Sequence, residues 1–395
     1  MVDNLSSELK TYGTKILLVY GSGSIKRMGL YDKVIKNLSQ KDIEIFELSG
    51  VKSNPVVSLV RKGIKISKEN KVDVIFAVGG GSVMDTAKAI AAGALVEFDV
   101  WDFFTRKEEV KNALPIITIP TLPASGSQMN GGAVIVNEKT QKKLGTGGSV
   151  LYPKVSILDP ELTFSIPTNY TAYCSADMLS HIIEPYFHGE TENTTISDSL
   201  AETVMKIIIQ TTPKLLRKLD NYDARGDLMW AATIAHNGML SFGTSPVYYY
   251  LHVLEHSLSG LFDNPHGAGL SVLISGWSKY TAKHAPVKLA QLGRNVFNLN
   301  GYNKKTALST AMKLEEWFKL INCPVTLQEI GITENNFKAI VQNVLSNVTR
   351  ILKSKDNGSL KDFGERYYSE IQNKDIESLL KFEKERVLNI LELCK

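Results

Sequence analysis

Three consecutive glycines, Gly79-Gly80-Gly81, directly follow the apolar run at residues 72–78 (VDVIFAV). Such a run costs backbone entropy unless something must come close to the chain. A strand that ends in a Gly-rich turn and opens a helix brings free backbone amides and the positive helix end to one spot. The segment continues Ser82-Val83-Met84-Asp85-Thr86-Ala87-Lys88. A pyrophosphate suits that geometry. The plainer alternative is a Gly-rich connection with Ser82 as the N-cap of a helix that begins there.

The flanking pattern repeats the unit. Strand runs fall at residues 16–20 (ILLVY), 43–48, 72–78 and 114–119, with helical spacing at 30–39, 56–69 and 83–95. Strands alternating with helices predict a parallel sheet with crossovers, a Rossmann-like α/β dinucleotide-binding domain over residues 1–160. After Asp159-Pro160 short β-branched runs disappear and long helical patterns dominate. Residues 161–395 are therefore expected to form an all-α domain, with Pro160 and Pro167 flanking the boundary. The tail at 375–395 has the pattern of a charged amphipathic helix with one solvated face.

Two more turns carry ligand chemistry. Gly21-Ser22-Gly23-Ser24 ends the first strand and is followed by Ile25-Lys26. It lacks the last glycine of the GxGxxG fingerprint. It also holds no carboxylate, the group that chelates the ribose hydroxyls of NAD and repels the extra phosphate of NADP. Ser22, Ser24 and Lys26 therefore favour NADP(H) over NAD(H); an ordinary surface turn is the alternative. The stretch 118–128 follows another strand and offers Thr118, Thr121 and Ser125 for ribose, carboxamide or phosphate, or simply for turn formation.

Seven histidines occur in the chain, and three form His252-x3-His256-x9-His266. A fourth, His181, stands four residues after Asp177. Residues i and i+4 share one face of a helix, so each pair can present two donors to one ion. Nitrogen and carboxylate donors suit Fe²⁺ or Zn²⁺ better than Ca²⁺ or Mg²⁺. One such pair alone is usually core packing; two pairs beside a nucleotide-like half favour one divalent ion. His188, His236 and His284 stand apart and are expected to be structural or surface residues.

Taken in order, these pieces resemble the iron-containing (group III) alcohol dehydrogenase family, especially its butanol dehydrogenase and aldehyde reductase branch. The matching segments are 20–26 with Gly29-Leu30-Tyr31, 79–88, 118–130, Asp159-Pro160-Glu161-Leu162-Thr163, Asp177-x3-His181, and His252 through Leu270. The resemblance implies a metal held by Asp177, His181, His252 and His266, with His256 beside it but not ligating. It implies a cofactor cradled by Gly79, Gly80, Gly81 and Ser82 and by Thr118, Thr121 and Ser125, with Asp85 near the nicotinamide end. Two positions depart from the pattern: Gln128 replaces a glutamate, and Tyr248-Tyr249-Tyr250 replaces an Asp-Trp pair.

The implied reaction is hydride transfer between NAD(P)(H) and a small alcohol or aldehyde, such as butanol or butanal, in a site between the two halves. Four protein ligands leave no room for a fifth if the substrate oxygen is to reach the ion. His256 is thus expected to act as the catalytic proton relay. A fold-related lyase of the dehydroquinate synthase type would need basic residues around the metal cluster, and no Lys or Arg lies at 177–188 or 248–269. A non-catalytic metal- or nucleotide-binding protein is the third reading.

The bulk properties exclude other classes. A formal net charge of +4 over 395 residues, without a basic block, argues against nucleic acid as a partner. No window has the roughly 18 apolar residues of a membrane span. Cys174, Cys323 and Cys394 are far apart and form no CxxC, the usage of a reducing compartment. With a polar N-terminus, the expectation is a cytoplasmic protein. A homodimer is the expected assembly.

Overall fold

The computed structural model describes residues 5–39, 43–187, 194–243, 249–352 and 376–395. His188, Tyr248 and the first residue of the tail at 375–395 lie outside the described residues. The chain forms two compact units, Met1–Ile166 with Lys218–Asn237, and Pro167–Arg217 with Gly238–Lys395.

The first unit carries all the strands among the described residues. They are β1 (Lys15–Gly21), β2 (Glu44–Val51), β3 (Val74–Gly79), β4 (Ile116–Pro120), β5 (Gly132–Asn137), β6 (Lys142–Gly147) and β7 (Val155–Ser156). Five form one parallel sheet in the order β2-β1-β3-β4-β7. β5 and β6 pair antiparallel as a separate hairpin, which the sequence pattern did not separate from the Gly-rich residues around it.

The α-helices among the described residues are α1 (Leu5–Lys10), α2 (Ser24–Arg27), α3 (Leu30–Ser39), α4 (Val57–Asn70), α5 (Gly81–Gly93), α6 (Trp101–Phe104), α7 (Thr168–Phe187), α8 (Thr195–Arg217), α9 (Tyr222–His236), α10 (Tyr250–Phe262), α11 (His266–His284), α12 (Pro286–Phe297), α13 (Asn303–Leu320), α14 (Phe337–Leu352) and α15 (Ile376–Leu393). α9 packs with the first unit, although it lies within the helical stretch of the sequence.

β1 shows why its run is wholly apolar. Ile16, Leu18 and Tyr20 join a core with Leu5, Leu9, Val34 and Leu38 on one face. Leu17 and Val19 join a second core with Val60, Met84, Ala87 and Ile90 on the other. A parallel strand covered on both faces has no polar alternation to display. Each fully buried Leu, Ile or Phe adds about 1.5–3 kcal/mol, so β1 and β3 anchor the turns at their carboxyl ends.

One local expectation is corrected. α5 begins at Gly81 with Gly80 as its cap residue and no side-chain cap. Ser82 is already helical, and its hydroxyl donates to the Ser53 carbonyl instead. The second unit carries helices and no strand among its described residues, and is built on α7, α10 and α11, which pack on one another.

Candidate metal and cofactor sites

Asp177, His181 and Glu184 recur at i, i+4 and i+7 on α7, one stripe of the helix. Asp177 Oδ1 lies 3.4 Å from His181 Nδ1, 3.8 Å from His252 Nε2 and 3.7 Å from His266 Nε2. Donors around a tetrahedral ion at about 2.1 Å stand roughly 3.4 Å apart; donor atoms of Asp177, His181 and His252 all lie within 4.8 Å of one another, so these three fit one divalent cation, and His266 approaches the group at Asp177 Oδ1. Asp177 Oδ1 and His252 Nε2 are buried and make no hydrogen bond among the described residues. Buried polar atoms seldom go unsatisfied, and a cation would satisfy both. The residues present therefore fit the metal.

The electrostatics agree. Burial opposes ionisation of Asp177, but the surrounding imidazoles, His181 foremost, hold its carboxyl well below the usual range. Burial also opposes charge on His252, yet Glu184 and Asp177 lift its pKa to about 9. Without a metal, the cluster compensates its carboxylates with a proton.

Two carboxylates, Glu184 and Glu255, stand behind the histidines, and nothing in the sequence reading pointed to them. His252 Nδ1 donates to Glu184, whose other oxygen accepts from Leu251 N at 2.8 Å. His266 Nδ1 donates to Glu255, whose other oxygen accepts from the Ser259 hydroxyl. Their only sequence trace is position, three residues after His181 and three after His252.

The start of α11 is fixed by contact. A Cβ on Gly267 would fall 2.1 Å from the Tyr173 carbonyl oxygen of α7, so the backbones nearly touch where His266 begins the helix. His256 stands beside the cluster, its ring centroid 6.0 Å from that of His252 and 5.8 Å from that of His266. Donor atoms of Glu255, His256 and His266 lie within 4.8 Å of one another. Tyr249 meets His181 and His252 edge-on, with centroids 6.4 and 5.6 Å away. Tyr250 is buried, with Arg386 of α15 4.0 Å above its ring.

In the first unit, β3 delivers the triple glycine to the start of α5. A Cβ on Gly79 would meet Val83 at 2.5 Å, on Gly80 Leu122 at 3.1 Å, and on Gly81 the Ser125 hydroxyl at 2.4 Å. The glycines are thus required by internal packing, and they put no side chain of their own over the amide-rich end of α5. Thr121 N donates to Gly79 O at 3.0 Å, joining the third stretch to this turn. Asp85 accepts from the Ser127 hydroxyl and Val134 N at 2.7 and 2.9 Å. Thr118 is fully buried, its hydroxyl 2.8 Å from that of Ser156. Gln128 donates to Thr233 at 2.9 Å within the same unit, so its side chain is occupied with α9. His236 likewise reaches the Ser125 carbonyl at 2.9 Å, and His284 stacks on Tyr280 with centroids 4.3 Å apart; both act structurally.

The first turn carries more than its own residues. β1 ends in Gly21, and Gly23 caps α2 at φ 132°, a conformation glycine adopts easily. Lys26 Nζ sits 4.4 Å from the Tyr31 ring centroid and 5.3 Å from that of Tyr20. Both tyrosine hydroxyls donate to Glu47 of β2, at 2.9 and 2.7 Å. That bond pushes Tyr31 up to about 12. A turn without a carboxylate in sequence thus has one beside it in the fold.

Comparison with known proteins identifies the family and the fold. Residues 1–160 match the family described as "Iron-containing alcohol dehydrogenase", and residues 171–356 match "Fe-containing alcohol dehydrogenase family, C-terminal". A Bacillus subtilis protein named "Probable NADH-dependent butanol dehydrogenase 1" is 43% identical over 351 residues, covering 88% of this chain and 90% of that one. The "NADPH-dependent aldehyde reductase YqhD" of Escherichia coli is 31% identical, covering 84% and 86%. The crystal structure of NADH-dependent butanol dehydrogenase A from Thermotoga maritima superposes with a TM-score of 0.91 at 40% identity, covering 100% of this chain and 94% of that one. The chain belongs to the iron-containing alcohol dehydrogenase family. No helix among the described residues is long and apolar enough to cross a membrane.

Proposed function

We propose that this protein is a nicotinamide-dependent alcohol dehydrogenase and aldehyde reductase acting on a small primary alcohol or aldehyde of the butanol and butanal kind. The observation that carries this reading is the convergence of three imidazole nitrogens on Asp177 Oδ1 at 3.4–3.8 Å, in a chain whose other unit opens a helix at a bare triple glycine. The first unit is the cofactor unit and the second the metal unit.

Asp177, His181, His252 and His266 would hold one Fe²⁺ or Zn²⁺. When bound, the ion supplies Lewis-acid polarisation of the substrate oxygen. The amides of Gly79, Gly80, Gly81 and Ser82 would take the cofactor pyrophosphate at the start of α5. Thr121 and Ser125 would contact the same cofactor. Asp85 and Thr118, tied to Ser127, Val134 and Ser156, would act mainly by shaping its cradle. The bound cofactor would supply the hydride for the carbonyl carbon, and the oxygen would take up one proton. His256, beside the cluster, would deliver that proton, as histidine commonly does in general acid–base catalysis.

The turn at residues 21–26 alone favoured NADP(H), with Ser22, Ser24 and Lys26 near the 2′-phosphate. Glu47 weighs against that preference, because its charge repels a phosphate beside Lys26. The two relatives at 40–43% identity carry NADH in their names, while the NADPH-dependent one is 31% identical. We infer that NADH serves at least as well as NADPH.

The test is direct. Purified protein is analysed for metal, then mixed with butanal and either NADH or NADPH while nicotinamide absorbance is followed. Stoichiometric metal and cofactor oxidation are expected. A metal-loaded protein that oxidises neither cofactor across an aldehyde panel would refute the assignment.

A further inference from the structure

The four proposed ligands are positioned by groups that do not themselves reach the ion. We propose that Glu184 and Glu255 are positioning residues, each fixing one imidazole so that its Nε2 lone pair faces Asp177. Glu184 acts on His252 and Glu255 on His266. The inference rests on reading Asp177, His181, His252 and His266 as the cation ligands.

Three observations carry it. First, the geometry is the same in both pairs. Each histidine gives its Nδ1 proton to a carboxylate and turns Nε2 toward Asp177 Oδ1, at 3.8 Å for His252 and 3.7 Å for His266. Donation from Nδ1 fixes the tautomer whose lone pair is on Nε2, and it raises the basicity of that nitrogen.

Second, neither carboxylate is free to swing. Glu184 is 4% exposed and Glu255 is fully buried. Each has its second oxygen engaged on α10, Glu184 accepting across from the Leu251 amide at the helix start and Glu255 from Ser259 one turn further along its own helix. Glu255 is pressed from α11 as well, since a Cβ on Gly269 would fall 3.0 Å from its Cγ and Oε1.

Third, the pairs run in chain order. α7 supplies the carboxylate that sets the α10 histidine, and α10 supplies the one that sets the α11 histidine. A burial-driven ion pair serving only to join helices would not need Nε2 of both rings to converge on one oxygen.

The experiment uses the metal-loaded protein challenged with graded concentrations of a chelator, with retained Zn²⁺ measured by mass spectrometry. Glu184→Ala and Glu255→Ala should each weaken retention roughly 10- to 100-fold. Glu184→Gln and Glu255→Gln should weaken it less, because an amide oxygen still accepts from Nδ1–H. Asp198→Asn, which breaks the buried pair with Lys288 elsewhere in the same unit, should leave retention unchanged. Wild-type retention in both Ala variants would overturn the proposal while leaving the ligand reading intact. A wild-type protein that holds no metal would overturn both. Two ions per chain, falling to one in Glu255→Ala, would make Glu255 a ligand and overturn its positioning role. If an Ala variant does not fold, the Gln variant decides: weaker retention supports the proposal, and unchanged retention overturns it.

Discussion

Lys88 donates to both the carbonyl and the side-chain oxygen of Asn130, at 2.8 and 3.0 Å, and its third proton goes to Gly132 O at 2.9 Å. The ammonium is fully buried, and all its donors are used. It ties α5 to the segment containing Ser125 and to the β5 hairpin, the parts that frame the proposed cofactor cradle. Lys88→Met keeps the volume but takes the ammonium donor from the carbonyls of Asn130 and Gly132, while Asn130 Oδ1 keeps the Gly132 amide. Each such loss costs about 1–3 kcal/mol, so destabilisation of about 2 kcal/mol or more is expected. A thermal melt should fall by several degrees, and the KM for NADH should rise more than kcat falls. An unchanged melt would show that the segment holds itself.

The metal assignment predicts that Asp177→Ala or His266→Ala loses the ion and activity together, read by metal analysis and turnover. Removing one ligand of four leaves an incomplete shell. The pH dependence follows from His252. Its pKa in the metal-free protein is about 9, above the unperturbed value of about 6.5. Below about 9 a cation must displace that proton, so apparent affinity should rise from neutral pH and level off near 9. Affinity that falls over that range would contradict a neutral His252 ligand.

His256 separates three roles in a single variant. As a proton relay, His256→Ala keeps its metal while turnover drops roughly ten- to ten-thousand-fold. As a ligand it would lose the metal. As packing it would retain turnover and lower the melting temperature. The first outcome is expected.

Cofactor choice should turn on Lys26 and Glu47. Lys26→Ala should raise the KM for NADPH roughly ten- to a hundredfold, the worth of one charged contact of about 1–3 kcal/mol, with little change for NADH. Glu47→Gln should shift the preference toward NADPH. Equal effects on both cofactors would remove this corner from the 2′-phosphate.

Much of this was legible in the chain because it is local. The buried strands at β1 and β3, the glycines after them and the i, i+4 pairs Asp177/His181 and His252/His256 follow from periodicity and spacing. What escaped depends on contacts distant in sequence. Glu47 reaches the first turn only because β2 pairs beside β1. The antiparallel hairpin was hidden among glycines. The partners of Gln128 and Thr118, Thr233 and Ser156, lie on other elements, so both residues look free in sequence. Glu184 and Glu255 read as ordinary helix residues, because spacing reveals which side chains share a face but not which ring nitrogen is taken.

The contact between Gly267 and the Tyr173 carbonyl has a consequence for how the gene tolerates change. At 2.1 Å even a single methyl cannot be accommodated, so α11 would have to slide away from α7 and take His266 with it. In a saturation library selected for growth on an alcohol, codon 267 should be as intolerant as the codons for the metal-binding side chains, alanine included. A residue with no functional group would then behave as part of the active site, and a survey that scored positions by chemistry alone would overlook it.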